Sequence, residues 1–268
     1  MQAPAVSLRG TRAPDPLFFG AAALLFVASA IATIIDCTAM PTMEMPMPGG
    51  WNMSMAWMRM PGQGWLGAAA AFLGMWMTMM AAMMLPSLVP MLRRYRQSLM
   101  VTSRLRMNGL TALAALAYFF IWAAFGALIF PPGAVLAELA MEHPTLARSM
   151  PTAVGIVVLM AGVMQFTGWK AQHLACCRDL PKHGCNMPVD APTAWRHGLR
   201  LGVHCGCSSA GFTAILLAGG VMDLGLMAAV TVAITVERVA PKSERVARGM
   251  GVVAIGAGVL LLMRAMFG

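Results

Sequence analysis

Seven long apolar runs dominate the sequence and constrain what it can fold into. A helix of about 20 apolar residues is long enough to cross the roughly 30 Å hydrocarbon core of a bilayer. Because backbone amides cannot stay unpaired in lipid, each run is expected to be helical. The sequence therefore predicts an all-α, polytopic transmembrane helical bundle of about seven spans. The runs cover residues 16–36, 65–92, 107–130, 151–170, 201–222, 223–239 and 250–267.

The composition excludes an ordinary water-soluble domain. Of the 268 residues, 59% are hydrophobic and 11% are charged, and the mean hydropathy is +0.71. So few charges cannot cover so much apolar surface in water. The first run follows Arg9 and Arg12 and contains Ala28-Ser29-Ala30, which is similar to a signal-peptide cleavage site. Its apolar core of about 19 residues is long for a signal peptide, so we interpret it as a membrane anchor.

The net charge of +9 is unevenly distributed along the chain. With a cytoplasmic N-terminus and alternating spans, 16 of the 19 Lys and Arg residues fall on the inner side. Only Arg59, Arg148 and Arg264 fall outside. This bias follows the positive-inside rule and indicates the orientation. The basic residues then face anionic lipid head groups, and a nucleic-acid partner is not needed to explain them.

The chain divides into three parts around these spans. Residues 1–36 form the N-terminal segment and first span, 37–64 an extracytoplasmic Met-rich loop, and 65–268 a helical membrane domain. That domain is expected to contain an outer loop at 131–150, which could lay a short helix on the membrane surface. It is also expected to contain a cytoplasmic Cys/His loop at 171–199 and a tight hairpin at 219–223, where Asp223 caps the following helix.

Methionines are concentrated in one part of the chain. Of 28 methionines, 15 lie between Met40 and Met91. Prolines and glycines are expected to keep the stretch TAMPTMEMPMPGG open, so its thioethers are candidate ligands for Cu(I), a soft ion that prefers sulfur. These candidates are Met40, Met43, Met45 and Met47. For residues 51–65 the alternative is an interfacial helix with a tryptophan belt at Trp51, Trp57 and Trp65.

The second apolar run carries methionines at helical spacing. Met75, Met79 and Met83 are four residues apart and so share one helix face. Their sulfurs would step about 6 Å at a time along the helix, and Pro86 and Pro90 follow. We interpret the stripe as a path for a soft metal ion. The competing interpretation is that methionine fills irregular gaps between helices.

Cysteine and histidine are dense near the predicted cytoplasmic side. A reducing compartment disfavours disulfides there and leaves thiols free to bind metal. We favour a centre built from His173 and Cys177 with Cys205, and with His204 or Cys207, holding Cu(I) or, as the alternative, Zn(II). Cys205 and Cys207 diverge by about 200° in a regular helix unless Gly206 opens the chain. The full set of candidates is His173, Cys176, Cys177, Cys185, His204, Cys205 and Cys207.

Several blocks of the chain resemble a known family. They are MWMTMMAAMMLPSLVP, WKAQHLACCRDL, GLRLGVHCGCS and LAGGVMDLGLMAAVTVAITVERVAP, which occur in order between about residues 50 and 262. They are similar to the bacterial predicted metal-binding integral membrane proteins, a family of unknown function. The resemblance implies a multi-pass protein of the bacterial inner membrane with a Cys-containing metal site. The family usually has Cys where this chain has His173, and further cysteines where it has Ser208 and Ser209.

Three functions fit these features. The first is membrane handling of Cu(I), by transport or relay from the outer methionines to the inner Cys/His centre, with a metallochaperone or a membrane complex as partner. The second is a metal-containing assembly or scaffold subunit of a larger membrane complex that transports nothing. The third, an enzyme, is least favoured, because no nucleophile, base and orienting group occur together.

Overall fold

The fold is an α-helical bundle with one small β-hairpin. A computed structural model describes residues 15–39, 45–59, 62–99, 103–179 and 189–267. The α-helices within them are α1 Pro16–Ala39, α2 Trp65–Ser98, α3 Arg104–Glu142, α4 Pro144–Met164, α5 Gly168–Asp179, α6 Ala191–Gly219, α7 Leu224–Val239 and α8 Ser243–Phe267. The strands are β1 Met45–Met47 and β2 Trp51–Met53, and one turn of 3-10 helix, Met55–Trp57, follows β2. The predicted all-α bundle is confirmed.

Among the described residues, six helices are long and apolar enough to cross a membrane, rather than seven. They are α1, α2, α3, α4, α6 and α8. The predicted span at 223–239 corresponds to α7, which has 16 residues and extends about 24 Å. That is shorter than the roughly 30 Å hydrocarbon core. The six helices fit a multi-pass membrane protein.

Two predicted loops are largely helical. Helix α3 continues through Pro131 and Pro132 to Glu142, and α4 begins at Pro144. The expected outer loop at 131–150 is therefore reduced to a break at His143, where proline occupies the first turn of α4 and needs no backbone N–H. Similarly, α5 and the first nine residues of α6 occupy much of the expected 171–199 loop.

The Met-rich segment contains a β-hairpin instead of an open coil or an interfacial helix. Strands β1 and β2 are antiparallel, with Met45 opposite Met53 and Met47 opposite Trp51. The intervening Gly49 and Gly50 have φ of +104° and +73°, which glycine adopts without steric cost. The Trp51 indole donates a hydrogen bond to the Ala147 carbonyl at 2.8 Å, which docks the hairpin on α4.

Contacts at one end of the bundle fix how α1 lies against α2. Asp15 and Arg96 form an ion pair at 2.5 Å. The Arg96 guanidinium also lies 4.7 Å from the Phe18 ring centre, and the Arg93 guanidinium lies 6.0 Å from that of Phe19. Later residues of α1 thus contact earlier residues of α2, so the two helices are antiparallel.

Glycines allow close packing between two other helices. A Cβ on Gly258 of α8 would lie 2.7 Å from the Leu159 backbone nitrogen of α4, and one on Gly162 would lie 2.8 Å from the Ile255 backbone nitrogen. Such small residues let membrane helices approach until their backbones touch. The α4–α8 contact depends on them.

The predicted hairpin between α6 and α7 is confirmed. Gly220 has φ of +126°, and the Asp223 carboxylate accepts a hydrogen bond from the Leu226 backbone N–H at 2.9 Å. Asp223 is therefore the N-cap of α7, where a side-chain oxygen satisfies one of the free N–H groups of the first turn.

Candidate metal centre

Two histidines from different helices meet at the α5–α6 contact. The Nδ1 atoms of His173 and His204 lie 2.9 Å apart, and both side chains are partly buried. The Trp169 ring contacts that of His173 edge-on, at a centroid distance of 4.7 Å. His173 is on α5 because the chain breaks after α4, near Thr167, and restarts as a separate helix at Gly168.

The histidine pair has the geometry of two ligands of one ion. Nitrogen ligands about 2.0–2.1 Å from a tetrahedral metal are roughly 3.3 Å apart. The observed separation is shorter by a few tenths of an ångström, which a small side-chain rotation changes. Neutral imidazole nitrogens suit both copper and zinc. In the part of the chain that the structure describes, no three His, Cys, Asp or Glu side chains cluster to enclose a metal ion.

Cys205 does not join this pair, in contrast to the arrangement we favoured from the sequence. Its side chain is fully buried, and its sulfur lies 2.7 Å from the Tyr118 hydroxyl of α3. Adjacent residues in a helix point about 100° apart, so His204 faces α5 while Cys205 faces α3.

Cys207 also diverges from Cys205, because α6 is a continuous helix through Gly206. The glycine does not open the chain. A Cβ there would collide with the Phe125 ring, so Gly206 serves close packing against α3. Cys207 is partly buried and lies one turn beyond His204 on a similar face of α6.

Of the remaining cysteine candidates, the structure describes the side chain of Cys176 alone. Cys176 is exposed and lies one turn after His173 on α5. Cys177 is also in α5, but its side chain falls outside the described residues. Cys185 falls outside them entirely.

The outer methionines are only partly described. Met40 and Met43 fall outside the described residues. Met45 is 39% exposed, but Met47 is only 9% exposed and packs with Met53, Ala137, Ala140 and Ala147. The expectation that all four thioethers stay open is therefore wrong for Met47, because the hairpin turns this side chain toward α3 and α4.

The methionine stripe of α2 faces the interior of the bundle. Met79 and Met83 are 2% and 3% exposed, and Met75 packs against the same core. The neighbouring row, Met80 and Met84, is fully buried. The sulfurs are therefore turned toward other helices and away from the bundle surface.

The next position of the stripe is Ser87, which links α2 to α6 and α7. Arg238 of α7 donates a hydrogen bond to the Ser87 hydroxyl at 2.9 Å and another to the Cys205 carbonyl at 3.1 Å. The guanidinium also lies 3.4 Å from the Ser208 hydroxyl. One buried arginine thus connects the C-terminal end of the stripe to α6, the helix that carries His204 and Cys205.

A buried ion pair lies beside this arginine in the chain. The Lys170 amine of α5 is 2.8 Å from the Glu237 carboxylate of α7 and also donates to the Gln165 side chain. Burial lowers the pKa of Lys170, and the Glu237 carboxylate partly offsets this. The signal for Glu237 and Arg238 in the sequence is two adjacent charges in an otherwise apolar run, a pattern that indicates a functional or structural pairing.

Comparison with known protein families places most of the chain in one of them. A family model described as "PpoB2: Copper chaperone" matches residues 73–261. The matched region contains the methionine stripe, both histidines, Cys205 and Arg238, and excludes the β-hairpin and α1. No curated protein and no solved structure matches the chain. Since the match spans more than half of the 268 residues, the chain belongs to the PpoB2 copper chaperone family.

Proposed function

We propose that the protein binds Cu(I) and passes it along the methionine stripe of α2 to the contact between α5 and α6, where His173 and His204 meet. The observation that carries this proposal is the continuity of the stripe. Met75, Met79 and Met83 are turned into the bundle, and the next position on that face, Ser87, is joined through Arg238 to the backbone of Cys205.

The chemistry of the side chains supports Cu(I) as the ion. Thioethers are soft, neutral ligands, so they bind without losing a proton and release readily to the next sulfur. Successive stripe positions are about 6 Å apart, a distance that flexible methionine side chains can shorten. Hard ions such as Mg²⁺ and Ca²⁺ prefer oxygen ligands and gain nothing from this face.

The receiving centre is proposed to use the two imidazoles together with nearby thiols. Cys207 on α6 and Cys176 on α5 lie one turn from the histidines, and Cys177 and Cys185 are further candidates in the same stretch. Thiolate and imidazole together suit Cu(I), with Zn(II) as the alternative ion. Met40, Met43 and Met45 would collect copper before it reaches α2.

The cellular setting follows from the same proposal. We place the protein in the bacterial inner membrane with its N-terminus in the cytoplasm, because the five arginines between Arg93 and Arg106, around the α2–α3 connection, then lie on the inner side. Its partners would be membrane lipid and a metallochaperone or membrane complex that donates or accepts the ion.

A vesicle assay tests the relay. The purified protein is reconstituted in liposomes that enclose a Cu(I)-sensitive dye, and Cu(I) is added outside under anaerobic conditions. The Met79→Leu/Met83→Leu double variant should fold, because leucine conserves volume, but should transfer copper more slowly. Met227→Leu, a buried methionine on α7, is the matched control. Equal rates for all three proteins would contradict the relay.

The second candidate is a copper-holding subunit that transports nothing. Full burial of Met80 and Met84 and the close contact of Trp76 with Gly126 favour it, because a tightly packed stripe resists the side-chain motion that transfer requires. Stoichiometric copper binding without any dye response in vesicles would support this candidate over the relay.

A further inference from the structure

Two sulfur atoms meet at the other end of the bundle, outside the residues discussed so far. The Cys37 thiol near the end of α1 lies 3.7 Å from the Met222 thioether in the turn before α7. Cys37 is 6% exposed, and Met222 packs against the same core as Met75. The two residues are 185 positions apart in the chain, so the tertiary fold brings them together.

Their separation suits one metal ion. Two sulfurs 3.7 Å apart can both lie about 2.3 Å from the same ion, with a ligand angle of about 107°. A thiolate with a thioether is a soft ligand set that selects Cu(I). Asp36 directly precedes Cys37 and Asp223 directly follows Met222, so a carboxylate is the chain neighbour of each sulfur residue.

The contact of α1 with α2 gives the depth of Cys37 in the bundle. Asp15 pairs with Arg96, and Cys37 lies 22 residues further along α1, which is about 33 Å. Because the helices are antiparallel, Cys37 lies level with the α2 residue that is 22 positions before Arg96, which is Gly74. Cys37 therefore lies level with Met75, the first methionine of the stripe.

The contact of α7 with α2 is consistent with this level. Arg238 bonds to Ser87, and Leu224, the first residue of α7, lies 14 residues before Arg238, or about 21 Å. Because Met222 contacts Cys37, which lies level with Gly74, α7 runs in the same direction as α2. The residue 14 positions before Ser87 on α2 is Leu73, so the length of α7 fits a turn that holds Met222 at the level of Met75.

We propose that Cys37 and Met222 form a loading site for Cu(I) at the mouth of the methionine stripe. This inference rests on the proposed function and adds a site that combines Cys37, which precedes the family-matched region 73–261, with Met222 inside that region. On binding, the Cys37 S–H bond breaks and an S–Cu bond forms. The proton leaves to a neighbouring carboxylate or to water, and copper remains Cu(I), so no oxidant or reductant is needed. Met75 is the next acceptor.

The test is an anaerobic Cu(I) titration of the full-length protein in detergent, in competition with a chromogenic Cu(I) chelator. Cys37→Ser and Met222→Leu should each lose about one bound Cu(I) equivalent, and the double variant should lose no more than either single one, because two soft ligands hold one ion. Met266→Leu, an exposed methionine on α8, is the control and should bind as the wild type does. Met222→Leu conserves volume and carries the test if Cys37→Ser fails to fold.

The outcomes separate this site from the relay. Wild-type stoichiometry and affinity in both Cys37→Ser and Met222→Leu would overturn the loading site. If vesicle transfer then still depends on Met79 and Met83, the proposed relay stands and only the loading site fails. If Cys37→Ser loses its copper equivalent while transfer is insensitive to the stripe, the loading site stands and the relay fails.

Discussion

The imidazole Nδ1 atoms of His173 and His204 face each other at 2.9 Å across the α5–α6 contact. Two neutral imidazoles so close need either a proton or a metal ion between them, because two nitrogen lone pairs repel each other. This relationship brings together two nitrogen donors from different helices.

Replacing either histidine should weaken metal binding. His204→Ala removes one of the two nitrogen donors, and we expect Cu(I) affinity at this centre to fall by at least about 10- to 100-fold, the range found even for outer-shell partners. Chelator competition on the purified protein measures this. His143→Ala, at the exposed break between α3 and α4, is the control. Unchanged affinity in both His173→Ala and His204→Ala would exclude the pair as ligands.

The buried charges of Lys170 and Glu237 should depend on each other, so that losing one of them costs more stability than losing both. Both side chains are buried, at 5% and 3% exposure, and removing one partner leaves an uncompensated charge that costs about 3–5 kcal/mol. Lys170→Met and Glu237→Leu should each lower the free energy of unfolding by about this amount. The double variant should lose much less than the sum. Additive losses in a double-mutant cycle would show that the two groups are not coupled.

Two glycines of α8 provide a matched test of close helix packing. Gly258→Ala should destabilise the bundle by about 1–3 kcal/mol, because its Cβ would press against the Leu159 backbone of α4. Gly256→Ala meets open space and should be neutral or stabilising by up to about 1 kcal/mol. Thermal unfolding in detergent distinguishes the two. Equal effects would mean that α4 and α8 are not in backbone contact.

The hairpin should depend on the indole N–H of Trp51. Trp51→Phe removes the bond to the Ala147 carbonyl and should cost about 0.5–1.5 kcal/mol of local stability. Hydrogen–deuterium exchange of residues 45–53 should become faster. Trp65→Phe, at the exposed start of α2, should leave the exchange unchanged. Equal protection in both variants would contradict the docking contact.

The helical architecture was largely predictable because it depends on long apolar runs that any membrane span requires. The errors came where local signals were misread. Pro131 and Pro132 indicated a loop, yet α3 runs through them, as membrane helices often tolerate proline. Conversely, Gly49-Gly50 lies between short methionine and tryptophan segments, and a Gly-Gly pair in such a position is a hairpin signal.

The candidate centre was predictable only in part. The density of Cys and His in α5 and α6 predicted one shared site, and of its members His173 and His204 do meet. That the Cys205 side chain points toward Tyr118 was not predictable, because this depends on how α6 is rotated about its axis against α3. The link from Ser87 through Arg238 to Cys205 is a contact between residues far apart in the chain, and a single sequence does not encode such pairings visibly.

The central claim is that sulfur atoms inside the bundle hold Cu(I) on its way to the two histidines. X-ray absorption at the copper edge of the Cu(I)-loaded protein tests it most directly. We predict sulfur neighbours at about 2.3 Å together with imidazole nitrogens at about 2.0 Å, and a loss of sulfur neighbours in the Met79→Leu/Met83→Leu variant. Copper bound only by nitrogen and oxygen, or a sulfur signal that this variant leaves unchanged, would contradict the claim.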